Sequence, residues 1–156
     1  MPLYFAYGSN LSWEQIQKRC PSAKYITNAV LPDHELLFTR ESKTTWECGV
    51  ADAVYKQDGE VWGVVYEINE KDLLALDKNE GFYGKGKKNS YNREPTEVVC
   101  VNNNIEKKAR VDIYFAVCQE NPPLPSQEYK DVIVNGAKYW KFPEHYISEL
   151  GKIKTT

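Results

Sequence analysis

The sequence lacks the motifs that mark several large classes of enzyme. It contains no G-x-S-x-G nucleophile elbow, no Walker loop and no dinucleotide-binding fingerprint. Histidine is scarce, and the two that occur, His34 and His145, stand far apart without metal-ligand spacing. A zinc site would have to be assembled entirely by the fold, so we expect no metal.

Cysteine is also scarce and unpatterned. The four cysteines, at Cys20, Cys48, Cys100 and Cys118, are widely separated and include no C-x-x-C pair. This spacing favours reduced structural thiols, as is usual in a cytosolic compartment.

No apolar run is long enough to cross a bilayer, and the N-terminus lacks the basic-then-apolar plan of a signal peptide. The formal net charge is only −2 at pH 7, so there is no bulk attraction to nucleic acid or to an acidic membrane. We therefore expect a cytoplasmic protein with neither a membrane nor nucleic acid as a partner. Nucleic-acid binding through the basic loop Lys85–Lys88 is an alternative that oligonucleotide binding at varied salt would test.

Aromatic residues, in contrast, are abundant, with 11 tyrosines and 4 tryptophans among the 156 residues. This favours β-rich packing and pockets that carry hydroxyl groups. The length favours one domain, residues 1–156. Turn signals at Pro32-Asp33, Asp58-Gly59 and Asn102–Asn104 divide the β-like runs into six or seven strands. We predict an α+β fold on a mostly antiparallel or mixed sheet that could close into a small barrel.

Three positions carry helix-start signals. Ser12 has Gln15 at the reciprocal capping-box position, and Asn69 precedes an amphipathic helix over Glu70–Glu80 that Gly81 ends in a left-handed conformation. Ser126 is the third predicted cap, at the start of a helix that reaches about Tyr139.

The opening segment Leu3–Leu11 runs from a predicted strand through Gly8-Ser9-Asn10 into a helical pattern. A strand that stops at such a turn leaves backbone N–H groups pointing outward, which suits a carboxylate or an oxyanion. We expect binding there to be mainly by the backbone. The alternative is an ordinary connection in which Gly8 only permits a positive φ.

Glu80 is the most notable carboxylate. It stands in the last turn of its predicted helix, where a negative charge slightly opposes the helix dipole. That arrangement hints at a catalytic role, although a carboxylate at this place can also simply be exposed. The basic loop Phe82–Ser90 follows it and is predicted to be a flexible lid rather than a phosphate site.

Five segments together resemble the γ-glutamylcyclotransferase family, from Leu3 to about Leu150. The opening motif is moderately specific alone and strong in combination with the glutamate segment. The matching segments are Tyr4–Leu11, Val61–Tyr66, Leu76-Asp77-x-x-Glu80-Gly81, Tyr91-x-Arg93 and Tyr129–Ala137.

The resemblance implies a small barrel of mixed strands with peripheral helices, and a reaction that releases 5-oxoproline from a γ-glutamyl amide. It assigns Glu80 as general acid and base, with a small-molecule γ-glutamyl substrate and no metal or cofactor. Ser12 replaces an aliphatic residue of several relatives, so its side chain is not carried over. The residues implied to bind substrate are Tyr7, Gly8, Ser9, Asn10, Leu11, Ser12, Tyr114 and Tyr129.

The leaving group and the oligomeric state stay open. Relatives also act on γ-glutamyl amines, so removal of a γ-glutamyl group from a product such as an aminoglycoside antibiotic is an alternative, and it would favour an acidic pocket rim. A further alternative is a non-catalytic small-molecule-binding module of the same fold.

Overall fold

The computed structural model of the protein describes residues 1–102 and 105–156. Over these residues the chain forms five strands, four α-helices and one short 3₁₀ turn, Ser9–Leu11. In chain order the elements are β1 (Leu3–Ala6), α1 (Trp13–Arg19), β2 (Lys24–Glu41), β3 (Gly49–Glu67), α2 (Glu70–Glu80), β4 (Tyr91–Asn102), β5 (Ile105–Ala116), α3 (Gln127–Tyr139) and α4 (Glu144–Gly151).

The five strands close into a barrel in the order β1-β3-β2-β4-β5. The short β1 closes it, because it pairs antiparallel with β3 on one side and parallel with β5 on the other. All other neighbours are antiparallel. The predicted α+β fold, a small mixed-strand barrel with peripheral helices, is confirmed.

The expected six or seven strands are instead five over the described residues, because two predicted turns are bulges inside continuous strands. β2 and β3 pair from Lys24 opposite Glu67 to Glu41 opposite Gly49, with a register shift between Pro32 and His34. Asp33 and Asp58 both adopt positive φ there, at 59° and 64°. The Asp58 N–H donates to Asp33 Oδ1 at 3.0 Å. The residues that signal turns in the sequence thus form a bulge in two paired strands, and neither strand ends there.

The predicted helix caps are confirmed. Asn69 Oδ1 accepts the Asp72 N–H at 2.8 Å, and Gly81 ends α2 with φ 71°. Ser12 and Ser126 cap α1 and α3 in the same way. None of the helices in the described ranges is both long and apolar enough to cross a membrane.

The predicted capping box at α1 is only half formed. Ser12 Oγ accepts the Gln15 N–H at 3.3 Å, but the Gln15 side chain does not return to Ser12. It donates instead to Ser9 Oγ at 2.8 Å and to Asn10 Oδ1 at 2.9 Å. Gln15 therefore ties α1 to the turn that follows β1. The predicted Asn102–Asn104 turn includes residues 103–104, which lie outside the described residues.

The second half of β3 is buried on both faces. Val64, Val65 and Tyr66 are each no more than 1% exposed. Tyr66 packs against Trp13 of α1 and against Trp140, which follows α3. This strand is the centre of the core, since the barrel covers one face and the helical layer covers the other.

Gly136 in α3 lies against the 3₁₀ turn, where an added Cβ would come within 2.6 Å of Leu11 Cβ. Alanine usually stabilises a helix relative to glycine, by about 1 kcal/mol. Here the overlap outweighs that gain, so we predict that Gly136→Ala lowers the free energy of unfolding by about 1–3 kcal/mol. Urea denaturation measures it.

Gly151→Ala in α4 is the matched control, because a Cβ there meets nothing within 4 Å. We expect it to be neutral or slightly stabilising. A Gly136→Ala variant as stable as the wild type would show that the turn is not seated on α3 as described.

Candidate active site

An inner cavity of about 40 Å³ lies at one end of the barrel, beside the Ser9–Leu11 turn and the end of α2. It brings together seven of the nine site residues predicted from the sequence. They are Tyr7, Gly8, Ser9, Asn10, Glu80, Tyr114 and Tyr129. Four residues that were not predicted complete the lining: Tyr4, Phe5, Ala51 and Tyr91.

A larger cleft of about 470 Å³ adjoins this cavity. Ser9, Glu80, Tyr91 and Tyr129 line both spaces. The cavity and the cleft therefore meet at these four residues, with Glu80 among them. A substrate could place one end in the inner cavity and the other in the wider cleft.

The remaining two predicted residues, Leu11 and Ser12, lie outside the cavity lining. Their backbone N–H groups are already used, because Leu11 donates to Gly8 O and Ser12 donates to Ser9 O, both at 3.0 Å. Leu11 is buried against α3, and the Ser12 side chain caps α1. The N–H groups of Ser9 and Asn10 begin the 3₁₀ turn and so have no acceptor within it.

The Asn10 side chain contributes more than the sequence indicated. It is 3% exposed, and its Nδ2 donates to Tyr4 OH at 2.9 Å and to Glu80 Oε1 at 3.4 Å. Its Oδ1 accepts from Arg19 at 3.1 Å. The sequence predicts that this turn binds mainly by its backbone, and the structure adds a side-chain contact from Asn10 that links the turn to Glu80.

Glu80 is the last residue of α2, where the left-handed Gly81 turns the chain away. Burial raises the pKa of the Glu80 carboxyl from its ordinary 4.5 to about 7. The Arg19 guanidinium and the Asn10 hydrogen bond lower this pKa, and the nearby Asp77 carboxylate raises it. A carboxyl group with a pKa near neutrality can both accept and return a proton at physiological pH.

Asp77, one turn before Glu80, anchors α2 to the barrel. Its Oδ1 accepts a hydrogen bond from Tyr114 OH at 2.6 Å and lies 2.9 Å from Arg93 Nε. Arg93 also pairs with Asp112 on β5, at 3.4 Å. The buried charge of Asp77 is thus compensated. The Tyr114 hydroxyl, predicted to contact substrate, is committed to this network.

Besides Tyr4 and Tyr114, three more tyrosines line the cavity. Tyr129 OH accepts the Ala51 N–H at 2.9 Å, so its own proton can point into the cavity. Tyr91 OH donates to Ala51 O at 2.6 Å, and Tyr7 OH donates to Tyr114 O at 2.5 Å. Burial raises the pKa of all three hydroxyls, and each stays a neutral phenol. Tyr91 was visible only as part of a family motif.

No group of three or more His, Cys, Asp or Glu side chains is placed to hold a metal ion in the part of the chain that the structure describes. The charged groups at the cavity are the Glu80 carboxyl and, behind Asn10, the Arg19 guanidinium. The arrangement brings backbone N–H donors of the Ser9–Asn10 turn and a titrating carboxyl group to the same cavity. It suits an acyl transfer in which one proton changes position.

Comparison with known proteins gives consistent relatives. A family model described as the AIG2-like family matches residues 60–150. The γ-glutamylcyclotransferase of Bos taurus is 40% identical over 155 residues, covering 97% of this chain and 78% of that protein. The γ-glutamylcyclotransferase of Homo sapiens is 36% identical over 159 residues, with the same coverage of both chains.

The fold matches solved structures in the same way. A structure described as a γ-glutamyl cyclotransferase superimposes with a TM-score of 0.88 at 34% identity. The match covers 99% of this chain and 89% of that one. The likeness therefore includes both the barrel and the helices.

The raised pKa of Glu80 predicts a pH-dependent stability. The folded protein binds more protons than the unfolded chain between pH 4.5 and about 7, so the ionised carboxylate destabilises the fold as the pH rises through that window. Glu80→Gln removes this penalty. Relative to the wild type, its free energy of unfolding should rise by about 1–3 kcal/mol from about pH 5 to about pH 8.

Urea denaturation at both pH values measures this difference. Glu70→Gln, at the exposed start of α2, is the control and should show little change with pH. A stability difference between Glu80→Gln and wild type that stays constant across this range would mean that Glu80 titrates normally.

Proposed function

This chain belongs to the γ-glutamylcyclotransferase family, and we propose that it converts a γ-glutamyl amide into 5-oxoproline and a free amine or amino acid, with Glu80 moving the proton. The observation that carries the proposal is the Glu80 carboxyl group, which lines the cavity beside the Ser9–Asn10 turn and has a pKa of about 7. The curated relatives are each described as a γ-glutamylcyclotransferase, which is an enzyme.

The reaction is an intramolecular aminolysis. The α-amine of the γ-glutamyl group attacks the carbonyl carbon of its own side-chain amide, and a five-membered ring closes. The C–N bond to the leaving amine then breaks, and no water is consumed. Because nucleophile and electrophile belong to one molecule, the protein must mainly hold that molecule in a folded, reactive shape.

Glu80 fits the role of the group that moves the proton. The α-ammonium must lose a proton before its nitrogen can attack, and the departing nitrogen must gain one. A single carboxyl group can do both in turn if its pKa is near the working pH. Burial of Glu80 supports this role, since an exposed glutamate would stay ionised and be a weaker base.

The cavity wall supplies the groups that would hold the substrate. The N–H groups of Ser9 and Asn10 suit either the α-carboxylate of the γ-glutamyl group or the oxyanion that develops on the attacked carbonyl. The Tyr129 hydroxyl lies on the same wall, 3.5 Å from where a Cβ on Gly8 would stand. We assign Tyr7, Tyr91 and Tyr114 to shaping this cavity, because their hydroxyls already donate to the protein.

We predict that Glu80→Gln lowers kcat/KM for 5-oxoproline formation by about 10²–10⁴-fold, because glutamine cannot accept the ammonium proton. The assay follows 5-oxoproline release from a γ-glutamyl amino acid. Glu70→Gln on the same helix is the matched control and should retain wild-type turnover. Near-normal turnover by a folded Glu80→Gln variant would rule out this mechanism.

Absence of 5-oxoproline from every γ-glutamyl substrate, with intact wild-type protein, would favour the non-catalytic binding module instead. Ligand binding to the same cavity, seen by calorimetry, would then be the remaining function. Glu80 separates the two readings, because a pure binding site gains nothing from a buried carboxyl group that is costly to ionise.

Gly8 and Ser9 should differ sharply in their tolerance of substitution. A Cβ on Gly8 would already lie 3.2 Å from Ala51 Cβ, so the branched side chain of Gly8→Val intrudes on the cavity. We predict a loss of at least about 10²-fold in kcat/KM for Gly8→Val. Ser9→Ala should lose less than about tenfold, since it removes one hydrogen bond to Gln15. Equal activity of both variants would contradict the placement of substrate against this turn.

A further inference from the structure

The larger cleft beside the inner cavity carries an excess of positive charge. The whole chain has a formal net charge of −2. The cleft lining nevertheless contains four cationic side chains and only two carboxylates. They are Arg19, Arg40, Lys43 and Lys78 on one hand and Glu41 and Glu80 on the other.

Three of these cations are not neutralised by the protein. Among the residues that the structure describes, Arg40, Lys43 and Lys78 form no salt bridge with a carboxylate. The Arg40 guanidinium is oriented by a hydrogen bond from Nη1 to Val117 O at 3.0 Å. The two lysines are exposed. Arg19 differs, because it points inward to Asn10.

The free cations stand on two walls of the cleft. Arg40 is the last residue but one of the long strand β2, and Lys43 lies two residues after the strand ends. Lys78 lies on α2, two residues before Glu80. Since Glu80 lines both spaces, a γ-glutamyl group held in the inner cavity would direct its leaving amine into this cleft. Walls of one charge focus the field on whatever occupies the space between them.

We propose that Arg40, Lys43 and Lys78 are specificity-determining residues that select leaving groups with more than one carboxylate, namely acidic amino acids. This selectivity rests on the proposed function, because it concerns the leaving half of the γ-glutamyl substrate. An amino acid with a neutral side chain presents one carboxylate to the cleft, whereas an acidic one presents two. A leaving amine with a cationic side chain meets repulsion.

The same charge pattern bears on the aminoglycoside alternative. A polycationic leaving group requires an acidic pocket rim, but the cleft has more cations than carboxylates. The observed rim is therefore the opposite of the one that this alternative needs, and the structure does not favour it.

The test compares three substrates that share the γ-glutamyl group: γ-glutamyl-glutamate, γ-glutamyl-glutamine and γ-glutamyl-lysine. In each of them the γ-glutamyl group is joined to the α-amine of the second amino acid. We expect kcat/KM for 5-oxoproline release to be about three- to tenfold higher for the glutamate than for the glutamine conjugate, and lowest for the lysine conjugate. Raising NaCl to about 0.5 M should bring the glutamate-to-glutamine ratio close to one.

The double variant Arg40→Glu/Lys78→Glu should reverse the order, with the lysine conjugate now preferred over the glutamate conjugate. Lys85→Glu/Lys88→Glu makes the same change of charge outside the cleft lining and should leave the order as in the wild type. The ratio between substrates is the readout, so a general loss of activity does not imitate the effect.

The proposal would be overturned if kcat/KM for the glutamate and glutamine conjugates differed by less than about twofold at low salt. It would also be overturned if high salt or the double variant left the preference for the glutamate conjugate unchanged. These outcomes require turnover of at least one substrate. Absence of 5-oxoproline from all three would instead overturn the proposed function itself. The salt dependence of the wild type tests the selectivity even if the double variant fails to fold.

Discussion

The site is organised around one physical constraint, which is the cost of placing a carboxyl group where water solvates it poorly. Glu80 lies at the end of α2 and lines the inner cavity, and burial raises its pKa to about 7. A group in this state is unstable as a permanent charge and useful as a temporary one. The surrounding structure can be understood as the means of holding it there.

Two networks provide that support from opposite sides. On one side, Asn10 reaches Glu80 from the turn after β1, and Gln15 and Arg19 of α1 hold the Asn10 amide. On the other, Asp77 fixes the last turns of α2 to β4 and β5 through Arg93 and Tyr114. Both β1 and β5 are neighbours in the barrel. Closure of the sheet therefore brings together groups that lie far apart in the chain.

Features set by short-range chemistry were predictable from the sequence. The caps at Ser12, Asn69 and Ser126 and the left-handed Gly81 follow from local hydrogen bonding and φ preference. The bulge that joins Asp33 to Asp58 was not predictable in this way, because it exists only when β2 lies beside β3.

The site follows the same division. The resemblance to family segments identified Glu80 and the turn at Gly8–Asn10. The Asn10 side chain, however, reaches Glu80 across 70 positions in sequence, so no local pattern could reveal this contact. The fold alone also sets the hydrogen bond from Tyr114 OH to Asp77. It likewise brings Arg40 and Lys43 into one cleft with the distant Lys78.

The most direct test of the central claim is a titration of the Glu80 carboxyl carbon by ¹³C NMR, with the resonance assigned through its loss in Glu80→Gln. We predict a midpoint at about pH 7, which coincides with the rising limb of kcat/KM for 5-oxoproline formation. A Glu80 carboxyl that titrates near its ordinary value of 4.5, or a kinetic limb that persists in Glu80→Gln, would contradict it.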